Sequence, residues 1–159
     1  MTDTQTPVDS SNPWVADHVR RYVESGGREG HLWYGPDGKL EQGVPTLLLT
    51  TTGRRSGQPR RTALIYRRVD DEFGGGAARY AVVASYGGAP DHPLWYYNLQ
   101  AKPEVTVQVA EEVFPAVART ATDEERARLW PLMAEVWPPY NDYQTKTERV
   151  IPIVILERV

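Results

Sequence analysis

The 159-residue sequence predicts a mainly β, α+β fold: a closed or split antiparallel barrel of about six strands with flanking helices. Three observations lead there. Strand-length apolar runs follow one another through short links, as in "VPTLLLTTTG" and "RTALIYRRV" around the turn "RSGQPR". Helical patterns are few and fall before, between and after groups of strands. No βαβ alternation appears, which argues against a doubly wound parallel sheet.

The elements justify themselves in chain order. "MTDTQTPVDSSNP" lacks the basic and apolar regions of a signal peptide and reads as a flexible polar tail over residues 1–12. One domain is expected over 13–159. "NPWVADHVRRYVESGG" predicts a helix capped by Asn12, opened by Pro13 and ended by Gly26 and Gly27. Its apolar face holds Trp14, Val15, His18, Val19, Tyr22 and Val23. That face either docks on the core or touches a membrane surface or a lipid-like substrate. The hairpin 44–68 follows, and "RYAVVASYGG" is its expected partner across the acidic, glycine-rich turn "DDEFGGGAA". "DHPLWYYNLQAKP" predicts a short helix capped by Asp91 or His92, with Pro103 just beyond it. "EVTVQVAEEVFPAVART" alternates like two strands with a turn near Glu111. "TDEERARLWPLMAEVW" predicts a helix with a Thr122–Glu125 capping box, kinked or restarted at Pro131. "PPYNDYQ" reads as a loop or short turn, and "VIPIVILERV" as the last strand.

Composition narrows the chemistry. No apolar run approaches the ~20 residues of a membrane span. The absence of cysteine removes disulfides and thiolate chemistry, and the three histidines form no metal-ligand motif, so no metal is expected. No Ser lies in a GxSxG pattern. Gly74, Gly75 and Gly76 lack the Lys-Ser/Thr of a phosphate loop. The net charge of -3 argues against a dedicated nucleic-acid binder.

Against that acidity stands "TTGRRSGQPRRTALIYRR", with six arginines and no acid between Glu41 and Asp70. Arg54 and Arg55 sit at the hairpin turn, and Arg60 and Arg61 begin the returning strand. Guanidinium forks suit phosphate and carboxylate, and Thr50, Thr51, Thr52 and Ser56 add neutral donors. The cluster fits a ligand with more than one negative charge; a solvated turn is the plainer alternative. Arg67 and Arg68 are expected to face solvent or pair with Asp70 and Asp71. A second feature is "ASYGGAPDHPLWYYNL": a strand ending at Ser85, two glycines that let a backbone approach a ligand, then a helix with Trp95, Tyr96 and Tyr97. A planar heterocycle would fit there, although Trp95 and Leu99 also suit a core. The third is "WPPYNDYQ", where Trp137, Tyr140 and Tyr143 recur every three residues and either close over a pocket or pack the last helix.

Together, "LLTTTGRRSGQPRRTAL", "YAVVASYGGAPDHPLWYYNLQAKPEVTVQV", "ARTATDEERARLW" and "WPPYNDYQTKTERVIPIVILE" resemble the deazaflavin-dependent nitroreductase family, a group of split-barrel, flavin-reductase-like proteins. The resemblance covers residues 44–159 in order; the first helix matches more loosely. It implies an FMN-binding split-barrel-like fold and coenzyme F420, a deazaflavin with a phosphate and an oligoglutamate tail. By the same analogy Arg54, Arg55, Ser56, Arg60 and Arg61 hold the phosphate and tail. Thr62, Ala63, Leu64 and Ile65 line the ring. Ala84, Ser85 and Tyr86, with Leu94, Trp95, Tyr96, Tyr97 and Asn98, enclose it. Tyr140 closes the pocket, Ser85 and Tyr140 orient the acceptor as catalytic residues, and Trp137, Tyr140 and Tyr143 contact substrate.

The implied reaction is hydride transfer from reduced deazaflavin to a nitroaromatic, quinone or enone acceptor, with the protein supplying position and hydrogen bonds. The implied partner is a small-molecule acceptor in a cytoplasmic setting, with peripheral membrane contact through the first helix as a variant. Three positions depart from the family pattern: Tyr86 replaces a common Lys, Ala63 a common Pro, and Trp137 a Tyr. Two alternatives stand beside this reading. One is a barrel that uses FMN, whose single phosphate needs fewer arginines. The other is a non-enzymatic basic hairpin that binds nucleic acid or another anion.

Overall fold

A computed structural model describes residues 7–9, 12–74 and 76–159. Most of the predicted tail and Gly75 of the glycine-rich turn lie outside them. Within the tail, β1 (Val8–Asp9) pairs in parallel with β4 at Arg60 and Arg61. Helix α1 (Pro13–Ser25) starts as its sequence requires: Trp14 N–H donates to Asn12 Oδ1 at 3.0 Å, and Gly26 closes the helix at φ 64°. Its apolar face turns onto the sheet, where Val19 and Tyr22 pack against Leu48. Trp14 stays 53% exposed. Among the described residues no helix is long and apolar enough to cross a membrane.

The remaining strands are β2 (Leu32–Trp33), β3 (Val44–Thr52), β4 (Pro59–Ile65), β5 (Arg67–Arg68), β6 (Arg79–Val83), β7 (Glu104–Val109), β8 (Glu112–Thr120) and β9 (Ile153–Arg158). They form one nine-stranded sheet in the order β1-β4-β3-β7-β8-β9-β6-β5, with β2 beside β3. The expectation of about six strands is corrected to nine. The three extra strands, β1, β2 and β5, have two residues each, too short for any periodic signal. Nor is the barrel closed. β4 and β5 are separated only by Tyr66, yet no ladder joins them among the described residues. Tyr66 N–H donates to Pro45 O at 3.1 Å, and beyond it the chain leaves β3 and turns to β6. "RYAVVASYGG" therefore pairs with only Arg67 and Arg68 of its expected hairpin partner; its long partner is β9.

The core has two main compartments divided by the sheet. Leu47, Leu49, Tyr80, Val82, Phe114, Val154 and Leu156 point into the barrel-like interior. Ala81, Val83, Ile153 and Ile155 point the other way, onto Leu129 and Met133 of α3 (Asp123–Val136). The apolar run in β9 thus reflects a strand covered on both faces. Each large side chain so buried contributes roughly 1.5–3 kcal/mol of transfer free energy.

The Thr122–Glu125 capping box forms as the sequence predicts. Pro131 does not restart α3, which runs on to Val136; its first turn is capped and Leu129 and Met133 anchor it to the sheet. Helix α2 (Leu94–Ala101) begins after Pro93 without a side-chain cap from Asp91 or His92. Its buried Asn98 ties it to β3 instead, through Nδ2 to Thr51 Oγ1 at 3.2 Å. The stretch expected as a loop forms α4 (Pro139–Thr145), with Pro139 in its first turn.

Candidate active site

The open seam between β4 and β6 holds a cavity of about 350 Å³, within the range of small-molecule sites. Ala63, Leu64 and Ile65 form its β4 wall, and Val83, Ser85, Tyr86 and Gly87 the wall beyond β6. Pro93 and Trp95 approach from α2, and Trp137, Tyr140 and Tyr143 from the α3–α4 corner. Trp14, Val15 and His18 complete it from α1, with Trp33 and Pro36 from β2 and its loop.

Ser85 lies where β6 ends and the chain turns sharply. Tyr86 adopts φ 45°, a left-handed conformation that a non-glycine residue holds at a cost. The two glycines beyond it have different duties. A Cβ at Gly87 would meet nothing within 4 Å, whereas one at Gly88 would lie 2.6 Å from Tyr143 O. Gly88 therefore admits the backbone of α4 rather than a ligand, which corrects half of the sequence expectation. The Ser85 carbonyl accepts from Arg149 Nη2 at 2.7 Å. Ser85 lines the cavity, and among the described residues its hydroxyl makes no hydrogen bond.

Tyr140 is 4% exposed and meets Tyr143 edge-on, with centroids 6.1 Å apart. Burial raises its phenol far above the ordinary value, so the hydroxyl keeps its proton and can donate. Trp137 Nε1 donates to Tyr143 Oη at 3.4 Å, and its ring packs 5.0 Å from Trp33. Trp33 in turn meets Trp14 at 6.0 Å, so three indoles rim one side of the cavity. Trp33 Nε1 is buried without a partner among the described residues, and a donor left so costs roughly 1–3 kcal/mol.

The arginine hairpin stands beside this cavity and is built differently. Gly53 N–H donates to Gln58 O at 2.7 Å, and Gly57 N–H to Gly53 O at 2.8 Å. A Cβ on Gly53 would sit 2.6 Å from Ser56 Oγ and 3.1 Å from Gln58 O, so a larger residue there would make Ser56 shift. Arg54 N–H donates to Asn98 Oδ1 at 3.1 Å, and its guanidinium lies 5.0 Å over the Tyr97 ring. α2 thus spans both parts: Tyr97 supports Arg54 while Trp95 lines the cavity. Arg54, Arg55 and Arg60 are exposed, and among the described residues none has a carboxylate partner. Arg61 differs, because its Nε lies 2.8 Å from Asp9 Oδ1. Arg68 pairs with Asp70 at 2.9 Å, as expected, and Arg67 reaches Glu135 at 3.6 Å.

Of the expected site residues, Ala63, Leu64, Ile65, Ser85, Tyr86, Trp95, Trp137, Tyr140 and Tyr143 gather round the cavity. Thr62, Ala84, Leu94, Tyr96, Tyr97 and Asn98 do not line it. Ala84 is core, and Leu94 is 73% exposed. Tyr96 is core and shares a 2.7 Å hydrogen bond with Thr120 at the end of β8. Tyr97 and Asn98 brace the hairpin. Sequence reasoning missed Trp33 and Pro36 altogether, and it gave the face of Trp14, Val15 and His18 contact with a lipid-like substrate only as an alternative to core docking. The available signal was "LWYGPDG", two aromatics before a turn, which specifies no location.

The family model described as F420H(2)-dependent quinone reductase matches residues 14–158. The chain belongs to that family. It is therefore an F420-dependent reductase, with reduced F420 as its hydride donor. A quinone reductase of this kind from Mycobacterium tuberculosis is 38% identical over 144 residues, 89% of this chain and 87% of that protein. Among solved structures, an F420-H2 dependent reductase is 45% identical with TM-score 0.62, over 71% of this chain and 94% of the other. A second, described as a domain-swapped dimer, is 40% identical with TM-score 0.65, over 93% of this chain and 100% of the other. The F420H(2)-dependent quinone reductase family agrees with the resemblance carried by the arginine, "SYGG" and "PPYNDYQ" segments.

Proposed function

We propose that this reductase holds F420H2 across a two-part site in a split-barrel domain spanning 13–159 and reduces a quinone. One observation supports the reading above others: an aromatic-walled cavity adjoins a hairpin whose Arg54, Arg55 and Arg60 are exposed and, among the described residues, without a carboxylate partner, and α2 braces both. A planar ring with a polyanionic tail matches that division. Bound F420H2 supplies the hydride. Arg54, Arg55 and Arg60, with Ser56, hold the phosphate and carboxylates of the tail; Arg61 contributes less because Asp9 already pairs with it. Ala63, Leu64 and Ile65 flank the ring. Ser85 and Tyr140 donate hydrogen bonds to the quinone oxygen on which charge accumulates. Trp33, Trp137 and Tyr143 cover the acceptor and exclude water.

The test uses purified protein, F420H2 and a soluble quinone. The expected result is quenching of tryptophan fluorescence on F420H2 addition, followed by one quinone reduced per F420H2 consumed. Tight FMN binding with no response to F420H2 would overturn the proposal in favour of the flavin alternative. Nitroaromatic and enone acceptors tested in parallel rank the acceptor classes.

A further inference from the structure

Arg149 lines no part of the cavity, yet it is bonded to one whole wall of it. Its Nε donates to Ala89 O at 2.8 Å, and Nη2 to Ser85 O at 2.7 Å. Nη1 reaches Ala84 O at 3.2 Å and His92 Nδ1 at 2.9 Å. Arginine offers only donors, so His92 Nδ1 is the unprotonated nitrogen of its ring. These four acceptors span residues 84–92, the loop that carries Ser85 and its strained neighbour Tyr86.

The other end of the arginine is equally fixed. Gln144 on α4 donates from Nε2 to Arg149 O at 2.8 Å and accepts Ile151 N–H at 3.0 Å. Arg126 on α3 donates to Gln144 Oε1 at 2.9 Å and to Ile151 O at 2.8 Å. The segment bearing Arg149 is thereby tied to the helix that carries Tyr140 and Tyr143, across 64 positions of sequence from Ser85.

We propose that Arg149 is a positioning residue that sets the Ser85 hydroxyl against Tyr140 across the cavity. It acts through the loop backbone and touches neither cofactor nor acceptor. The planar fork is what the task requires, since a lysine ammonium could not meet carbonyls in three directions with fixed geometry. The inference rests on the reading of Ser85 and Tyr140 as hydrogen-bond donors to the acceptor.

The experiment compares Arg149→Gln, Arg149→Lys and Ser85→Ala, singly and with Ser85→Ala in the Arg149→Gln background. Arg149→Gln is expected to lower kcat about 10- to 100-fold while the quinone KM changes less than about threefold. Arg149→Lys should recover part of that loss. Ser85→Ala should cost about tenfold alone and less than about threefold beside Arg149→Gln, because the two act as a unit. Amide hydrogen exchange, measured without cofactor or quinone, should accelerate over residues 84–92 and not in β7 or β8. An unchanged kcat with unchanged exchange would overturn the proposal, as would a Ser85→Ala cost equal in both backgrounds. If Ser85→Ala alone is silent, the role of Ser85 fails and the exchange result decides Arg149. Should Arg149→Gln not fold, His92→Phe removes one of the four acceptors, and unchanged exchange in that loop sinks the idea.

Discussion

The arginine hairpin and the cavity beside it solve opposite problems. The hairpin is exposed, and its charges need no precise partner; a Gly53 turn and a bond to Asn98 suffice to present them. The cavity is apolar, and its few polar groups must be aimed within fractions of an ångström, so α1, α2, β4, the Ser85 loop and α4 all contribute. On the proposed two-part site, the contrast teaches how one ligand would be shared: charge supplies attraction that tolerates motion, while packing supplies the geometry of reaction. Arg61 shows the boundary, because Asp9 turns a potential ligand grip into a structural pair.

The most forceful way to break the comparison is to disarm the hairpin. Arg54→Ala with Arg55→Ala should raise the F420H2 dissociation constant about 100-fold, as expected for two charge-assisted contacts. The loss should shrink as salt rises, and kcat at saturating cofactor should hold. Titration by tryptophan fluorescence at two ionic strengths checks both points; a loss independent of salt would refute the charge argument. The converse change, Tyr140→Phe, keeps the packing and removes the hydroxyl. It should lower kcat about tenfold and leave the cofactor constant within about twofold. Steady-state kinetics with saturating F420H2 measures it, and an unchanged kcat would move the donor role away from Tyr140.

The smallest effect is a pH dependence confined to the cavity wall. Burial, and then the charge of Arg149, depress His92 below its ordinary 6.5. The fold therefore prefers the neutral ring, and the unfolded chain binds more protons once the pH falls below 6.5. This contribution to stability is present above 6.5 and is lost as the pH drops through the folded-state value. Tm measured from about pH 7.5 to 5 should fall, and His92→Phe should flatten part of that fall. Half-buried His31, depressed in the same direction by desolvation, accounts for a remainder.

Much of the fold was legible because its signals are local. Asn12, Pro13 and Gly26 bound α1, and Thr122 with Glu125 starts α3, by hydrogen bonds made within a few residues. β3, β4, β6, β7, β8 and β9 are long enough for their apolar patterns to register. The two-residue strands carry no such pattern, and α4 was obscured by Pro138 and Pro139, which favour a turn and a first helical turn alike. Site residues divide in the same way. The arginine cluster and the Tyr140–Tyr143 spacing stand out in the chain. Trp33 and Arg149 do not, since an isolated tryptophan and an isolated arginine give no hint of what they will meet.

By itself the sequence determined the mixed α+β character, the family, and the arginine, Ser85 and Tyr140 segments as the ones to examine, because residue type and short-range spacing decide those. Only the tertiary structure decided that Arg61 faces Asp9, that Gly88 serves α4, and that Arg149 holds Ser85. Those contacts join residues tens of positions apart. Which of several similar side chains makes them depends on where the open seam of the sheet brings the chain together.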